Sequence, residues 1–583
     1  MRRLTGIPAS PGFAAGPGFP LLKKELHVPR RTGTDPGAEF VRLEEALEAA
    51  RLQLCQLRDK AGREAGRAEA DIFDAHSMFL DDPDLLAAVR QKLSSERINV
   101  EAAWMEGIES YAVQMEAMGN ETFAARAVDM RDVGRRVLRL LLGQPEEDLS
   151  QLKAPMVILA RDLAPSDTVR LDKSLVLAFC TAEGGPTSHT AILAKALGIP
   201  AVVGLGKELL ALKAGEFLLV DGARGEVLVE PDEAAIIGFQ ARERAHLARA
   251  EVELASAQEP AVTRDGHAVE VVANIGSEAE AKAALVYGAE GVGLLRTEFL
   301  YLDRKTAPGE EEQHQAYAAI LEVMGTRPVV SRTLDVGGDK PLAYLDLGQE
   351  ANPFLGWRAI RMCLDKPDFF KIQLRALLRA SPQHDLRIMF PMVATLEEVR
   401  QAKALLAEAR RELEAEGAPL AEQVQVGIMV EIPSVVVLAD QFAREVDFFS
   451  VGTNDLTQYT FAAERTNEKV AHLGDACHPA ILRQIGRVIQ AAHAAGIWAG
   501  VCGELAGDPE AVPILLGLGL DEFSMAPASI PGAKAILRQW SQEEAQRLAE
   551  SALALESAEA VRGLVRAIYP LAKASVGRLK YTG

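Results

Sequence analysis

Between residues 35 and 144 the apolar positions fall at alternating three- and four-residue steps, and Phe40, Leu43, Leu47, Ala50, Leu54 and Leu57 form one seam. That spacing places them on a single face of an α-helix. The stretch is dominated by Ala, Leu, Glu and Arg, and it predicts a helical subdomain whose seam packs into its own core. Asp82-Pro83 and Asn99 mark helix starts, the first with proline where a missing N–H does no harm. Around this block the period changes. PMVILA (155–160), SLVLAFC (174–180) and EFLLVDG (216–222) are short apolar runs bounded by turns, which predict an α/β domain that residues 1–20 also join. Pro231 to about Glu259 reads as a long, charged, alanine-rich connecting helix.

From about Arg264 onward, short apolar runs alternate with helical stretches: VEVVANI (269–275), GVGLLR (291–296), PVVSRTL (328–334), RIMFPMV (387–393), VGIMVE (426–431), DFFSVG (447–452), IWAGVC (497–502) and DEFSM (521–525). Eight such units suit a (β/α)8 TIM barrel, in which chemistry is built at the C-terminal ends of the strands. The expected class is therefore multidomain α/β: an α/β domain (1–20 and 148–230) with an inserted all-helical subdomain (21–147), a connector (231–259) and a C-terminal barrel (260–583).

Composition narrows the function. The chain has 583 residues, 48% hydrophobic and 25% charged, as expected of a globular protein of several domains. Its formal net charge of −20 repels nucleic acid and anionic membrane surfaces, so an anionic substrate needs a local arginine cluster to hold it. Cys55, Cys180, Cys363, Cys477 and Cys502 are scattered and form no CxxC, which argues against a disulfide framework or structural zinc. No run approaches about 18 apolar residues, and the expected location is the cytoplasm.

The predicted strand ends are polar. The second carries Arg296 and Glu298, and the third ends in Arg332 before the glycine-rich DVGGDK (335–340), with Arg358 in the following loop. The fifth ends in Glu431, the sixth is followed by Asn454 and Asp455 with Arg465 beyond, and the seventh ends in Cys502-Gly503-Glu504. Arginines grip phosphate and carboxylate oxygens in charge-assisted pairs. Glu431 and Asp455 offer hard oxygen ligands suited to Mg²⁺. A small anion bearing both phosphate and carboxylate satisfies the whole set. Cys502, as thiol or thiolate, can exchange a proton there. The glycines of VVGLGKEL (202–209) and GGDK lack the spacing of a nucleotide loop, so no ATP site is visible. One histidine stands apart: His189, in EGGPTSHTAIL, follows a Gly-Gly-Pro turn and precedes an apolar helix-forming run. Read alone, it is open to being a metal ligand, a base, a structural residue or a site of covalent modification.

In one order along nearly the whole chain stand GIPASPGFAAG, IFDAHSMFLDDPDL, DLAPSDT, GGPTSHTAI, GVGLLRTEFLY, RTLDVGGDKP, NPFLGWRAIR, FPMV, GIMVEIPS, VGTNDLTQY and GVCGELAGDP. With these the sequence resembles Enzyme I of the bacterial phosphoenolpyruvate:sugar phosphotransferase system. The resemblance implies that His189 takes the phosphoryl group of phosphoenolpyruvate and passes it to the carrier protein HPr. It further implies that Arg296, Arg332, Arg465 and Asn454 bind phosphoenolpyruvate, that Glu431 and Asp455 hold Mg²⁺, and that Cys502 protonates the enolate. Arg358 and Asp455 are counted with the substrate-binding set. The helical subdomain becomes the HPr-docking part, and the barrel the homodimerisation part. Thr168 or Ser188 is expected to orient the imidazole. Many family members carry a basic residue where this chain has Pro186. Because His189 and the substrate lie in different domains, a large hinge motion is expected.

Three other readings compete. A phosphoenolpyruvate synthase or pyruvate-phosphate dikinase shares the phosphohistidine and barrel domains but needs a nucleotide-binding domain. A regulatory, nitrogen-type paralogue commonly carries an N-terminal sensory domain, whereas this chain is expected to start directly at GIPASPG. A non-catalytic scaffold would have no need of the full Arg, Glu, Asp, Cys and His set.

Overall fold

The computed structural model describes the chain except for residues 22–25, 65–72, 74–75, 118–120, 145–153, 164–172, 186–187, 189, 192–193, 195–197, 303, 305, 338–341, 343, 346–349, 351, 465–466, 468–469 and 569–583. It divides into two compact units, Met1–Arg244 and Ala245–Gly583.

The strands of the first unit are β1 (Arg2–Thr5), β2 (Ile7–Ser10), β3 (Phe13–Leu21), β4 (Met156–Ala160), β5 (Val176–Thr181), β6 (Ala201–Val203), β7 (Phe217–Asp221) and β8 (Glu226–Val229). They lie in the order β1-β8-β7-β3-β4-β5-β6-β2. β3 pairs antiparallel with β7 and parallel with β4, so Phe13–Leu21 is woven into the middle of a sheet built mostly from residues 156–229, while β1 and β2 form its edges. Alternate side chains feed two cores, one around Val157, Leu159, Val202 and Val220 and the other around Ile158, Phe179 and Val203.

Between β3 and β4 the chain makes the helices Pro36–Glu64, Pro83–Glu96, Val100–Ala117 and Glu121–Leu141. Leu43, Leu47, Ala50, Leu54 and Leu57 are buried together, as the seam predicts. Asp82 caps its helix by accepting from the amides of Asp84 and Leu85, with Pro83 at the first turn. Asn99 precedes the next helix but caps nothing in it: its Oδ1 accepts from Arg31 N at 2.7 Å, and Glu39 Oε2 takes the amide of Val100 instead. Trp104 is fully buried and donates Nε1–H to Gly134 O at 2.9 Å. A Cβ on Gly134 would stand 2.6 Å from Ile108 Cγ2, so glycine is what lets these two helices approach.

In the second unit, β9 (Ala261–Val262) forms a short antiparallel pair with β10 (Ala268–Ile275). Then follow β11 (Val292–Leu295), β12 (Val329–Arg332), β13 (Leu386–Phe390), β14 (Gln425–Val430), β15 (Phe448–Val451), β16 (Trp498–Val501) and β17 (Glu522–Met525). β10 to β17 pair in parallel, and β10 closes the ring by pairing with both β11 and β17. This is the eight-stranded parallel barrel that the eight apolar runs predict. Outward positions pack under helices such as Leu396–Ala415, whose Thr395–Glu398 capping box fixes its start. Inward positions meet as Leu294, Val330, Met389, Met429, Phe448 and Cys502. Among the described residues, no helix is long and apolar enough to cross a membrane.

Between β8 and β9 the helix Glu233–Ala255 buries only Phe239, against Phe13, Leu219 and Leu228. A helix so polar around its circumference is a bridge rather than a core element. The division between the units falls inside it.

Candidate active site

Four buried carboxylates and two buried arginines are interleaved at the C-terminal ends of the strands. Arg332, the last residue of β12, donates Nη2–H to Glu298 Oε1 at 2.9 Å and pairs through Nη1 with Asp335 Oδ2 at 3.0 Å. Asp335 in turn receives Arg358 Nε and Nη2 at 2.9 and 3.1 Å, a two-pronged pair. Arg358 Nη1 reaches on to Asp455 Oδ1 at 3.4 Å and to the Tyr459 hydroxyl at 3.3 Å. All of these charged residues are buried. Burial alone would lower the pKa of either guanidinium, but the surrounding carboxylates outweigh it and raise both. Arg332 keeps one open donor: its Nε is buried and has no acceptor among the described residues.

Glu431 follows β14 and is fully buried. Its Oε1 accepts from Met392 N at 2.6 Å. Met392 takes a left-handed φ of 56° to aim that amide, a conformation costly for a side chain of this kind. Burial, then the neighbouring Asp455 and Asp335, push the Glu431 carboxyl up despite Arg358 and Arg332. Asp455 stands in the first turn of the helix Thr453–Phe461. Beside it Asn454 is half-buried, and its Oδ1 accepts from Glu504 N at 3.3 Å. Glycines make the space. A Cβ on Gly452 would be 2.9 Å from Glu431 Oε2, and one on Gly503 would be 1.8 Å from Thr453 Oγ1. Support comes from below: Thr297 Oγ1 donates to Arg332 O at 2.9 Å, and Gln373 Nε2 donates to Thr297 Oγ1 at 3.1 Å.

Cys502 directly follows β16, its thiol facing the barrel interior among Met389, Met429 and Phe448. Burial pushes its pKa up to about 11, with Glu431 adding to the rise and Ser450 and Arg332 opposing it. That direction favours the thiol over the thiolate, an alternative the sequence leaves open. Arg296 is exposed at the rim after β11. Arg465 lies outside the described residues.

The barrel end thus brings Arg332, Arg358, Glu431, Asp455, Asn454 and Cys502 to one place. Among the described residues the buried array holds Glu298, Asp335, Glu431 and Asp455 against Arg332 and Arg358, an excess of negative charge. No group of three or more His, Cys, Asp or Glu side chains is placed to cage a metal ion among those residues. Mg²⁺ needs no such cage: it binds through one or two carboxylates and completes its shell with water and phosphate oxygens. The Glu431–Asp455 pair, in its surplus of negative charge, fits that ion.

In the first unit, His189, Pro186 and Thr168 lie outside the described residues. Their neighbours are placed. Gly184 has φ +99°, and Ser188 Oγ accepts from Ala191 N at 3.4 Å, the geometry of a helix cap. Thr190 is buried and donates to Asp162 Oδ1 at 3.1 Å.

Asp335, Tyr459 and Asp162 were not singled out from the sequence as site residues. Asp335 is concealed in a glycine-rich loop that reads as a turn. Tyr459 carries a faint signal, since it stands four residues after Asp455 on the same helix face.

The barrel, with this mouth of interleaved arginines and carboxylates, follows a separate α/β unit, and the family comparisons place that arrangement among the phosphoenolpyruvate-utilising enzymes. Residues 250–542 match the family of the PEP-utilising enzyme, PEP-binding domain, residues 5–126 its N-terminal part and residues 152–225 its mobile domain. The chain is 49% identical to the phosphoenolpyruvate-protein phosphotransferase of Geobacillus stearothermophilus over 98% of this chain and 99% of that one. It is 46% identical to that of Bacillus subtilis (strain 168) over 97% and 99%. A solution NMR structure of an Enzyme I protein (nEIt) shares 39% identity over 42% of this chain and 99% of its own, with a TM-score of 0.38. The chain belongs to the phosphoenolpyruvate-protein phosphotransferase family.

Proposed function

We propose that this enzyme moves the phosphoryl group of phosphoenolpyruvate onto its own His189 and then onto a histidine of an HPr-type carrier, releasing pyruvate, as the first step of sugar phosphotransferase uptake. The observation that carries this reading is the buried array from Glu298 through Arg332, Asp335 and Arg358 to Asp455, with Glu431 and Cys502 beside it.

Arg332 offers its free Nε–H, and Arg296, Asn454 and Arg465 complete the grip on phosphate and carboxylate. Arg358 acts on the substrate side by holding Asp335 and Asp455 in place. Neutral His189 attacks phosphorus in line, the bond to the enol oxygen breaks, and the developing charge is met by guanidinium groups already oriented in a dry site. Glu431 and Asp455 would hold Mg²⁺, whose contribution when bound is to neutralise phosphate charge. The enolate left behind takes a proton at carbon from the Cys502 thiol, whose raised pKa keeps that proton in place at neutral pH. Ser188, which accepts from Ala191 N, and Thr190, tied to Asp162, flank His189 in the chain and are the residues nearest to hand for fixing its setting.

The groove between the helices Pro36–Glu64 and Pro83–Glu96, lined by Phe40, Glu44, Arg51, Leu86 and Arg90, supports carrier docking on the helical subdomain. Homodimerisation through the barrel follows from the family resemblance. Five cysteines without a disulfide suit the cytoplasm. Incubation with radiolabelled phosphoenolpyruvate tests the reading. An acid-labile, alkali-stable label that disappears in His189→Ala is expected, and absence of any label in the parent enzyme refutes it.

A further inference from the structure

Deeper in the barrel stands an acid that the reaction above does not use. Glu522, the first residue of β17, is 1% exposed, and neither of its oxygens has a hydrogen-bond partner among the described residues. A buried carboxyl without partners is costly to ionise. β16 and β17 pair in the register Gly500↔Glu522 and Val501↔Phe523, which puts Ser524 next to Cys502. Side chains two residues apart on a strand share a face, so Glu522 and Ser524 line the same interior wall as Gly500 and Cys502.

Glycines open that wall. A Cβ on Gly500 would stand 2.9 Å from Glu522 Oε1. A Cβ on Gly293 would stand 2.6 Å from the same oxygen and 2.5 Å from Ser524 Oγ, so the carboxyl and the hydroxyl crowd one point. Ser524 Oγ donates to Asn274 Oδ1 at 2.6 Å, and Asn274 Nδ2 donates to Cys502 O at 2.9 Å. On the other side, Ser450 of β15 pairs with Gly500, and its buried hydroxyl lies by the thiol. From Glu522 to Cys502 the wall is hydroxyl, amide and glycine.

The charged groups facing Glu522 are Glu270 of β10, Arg387 of β13 and its own neighbour Asp521. Burial, reinforced by Glu270 and Asp521 and only partly offset by Arg387, pushes its pKa up to about 8. Glu270 itself is exposed to solvent at the start of β10.

We propose that Glu522 is the internal proton reservoir that recharges Cys502 after each turnover, which rests on Cys502 being the donor to the enolate. Once the thiol has given up its proton, the Glu522 O–H bond breaks and the Cys502 S–H bond forms, with the Ser450 hydroxyl beside the thiol passing the proton. The carboxylate then takes a proton from Glu270, which exchanges with solvent. The transfer runs from a carboxyl to a thiolate, and a thiol ordinarily holds its proton more tightly than a carboxyl does. Glu522 acts through Cys502 and is a positioning residue for protons, not a catalytic one.

Isotope exchange tests this without any carrier protein. In D2O with Mg²⁺, the full-length enzyme is given phosphoenolpyruvate and ¹³C-labelled pyruvate, and two rates are read: carbon-label exchange between them, and deuterium entry at C3. In Glu522→Gln the abstracted proton stays on Cys502 and returns to carbon. The ratio of deuterium entry to carbon exchange is therefore expected to fall on the order of tenfold. A purely structural role lowers both rates and leaves their ratio intact, and an unchanged ratio overturns the proposal. If Glu522→Gln does not fold, Glu522→Asp is read instead: its shortened acid must lower the same ratio, and an unchanged ratio again overturns it. Cys502→Ala separates the two ideas, because carbon exchange at the parent rate in that variant refutes Cys502 as donor, whatever Glu522 does.

Discussion

Arg332 is tied to Glu298 and Asp335 yet keeps Nε–H free, so it is both a strut and a hand. Lysine would keep the charge but lose the planar fork that serves two carboxylates while offering a third donor. Arg332→Lys is therefore expected to lower kcat/KM for phosphoenolpyruvate by about a hundredfold, ~2.7 kcal/mol of transition-state stabilisation. Steady-state kinetics beside a thermal melt will separate this from unfolding, and a variant with the parent kcat/KM refutes the role. Cys502 gives a pH prediction. Its pKa lies above the ordinary thiol value, so the folded state holds the proton more tightly than the unfolded chain does. The stability this contributes is complete below the ordinary thiol pKa and is lost as pH rises through about 11. Alkylation of Cys502, followed by mass spectrometry, should keep rising up to that pH. A plateau near pH 8 would contradict a buried neutral thiol.

The site is assembled from the ends of elements, and the close fit between neighbouring ends is what aligns it. Gly503 follows β16, and the helix Thr453–Phe461 begins against it: a Cβ there would stand 1.8 Å from Thr453 Oγ1 and 2.8 Å from Thr453 N. Gly503→Ala must push that helix, with Asn454 and Asp455, away from Cys502. Overpacking of this kind costs about 1–3 kcal/mol. Calorimetry should show a lower Tm, and turnover should fall further than the melt explains. A variant with normal Tm and turnover would mean that the contact yields. The barrel strands were legible because each is a short apolar run between turns, and position along the barrel then put Arg332, Glu431, Asp455 and Cys502 at one end. What the pattern could not show is how charges pair across the mouth. Asp335 looks like a turn residue until Arg358, from a different loop, closes on it. Glu522 looks like half of a solvent-facing Asp-Glu pair, and only closure of the ring against Gly293 and Gly500 makes it an interior group. Asn99 does mark a helix start, that of Val100–Ala117, but a distant segment claims its side chain, which the local pattern does not show.

On the scale of the whole molecule, the proposed reaction requires a histidine from one unit to meet a substrate held by the other. The linking helix Glu233–Ala255 contributes one buried side chain, Phe239, and residues 244–248 are exposed. Each unit has its own hydrophobic cores, so severing the helix should leave both folded. What the helix supplies is effective concentration, which for a short tether is in the millimolar range. Cutting at a protease site engineered over residues 244–248 turns a first-order encounter into a second-order one. At about micromolar enzyme, labelling by phosphoenolpyruvate should then slow by roughly a thousandfold and become proportional to fragment concentration, while far-ultraviolet circular dichroism stays unchanged. If labelling of the cut enzyme keeps its rate and remains independent of concentration, the phosphoryl acceptor lies in the same unit as the barrel, and His189 is not it.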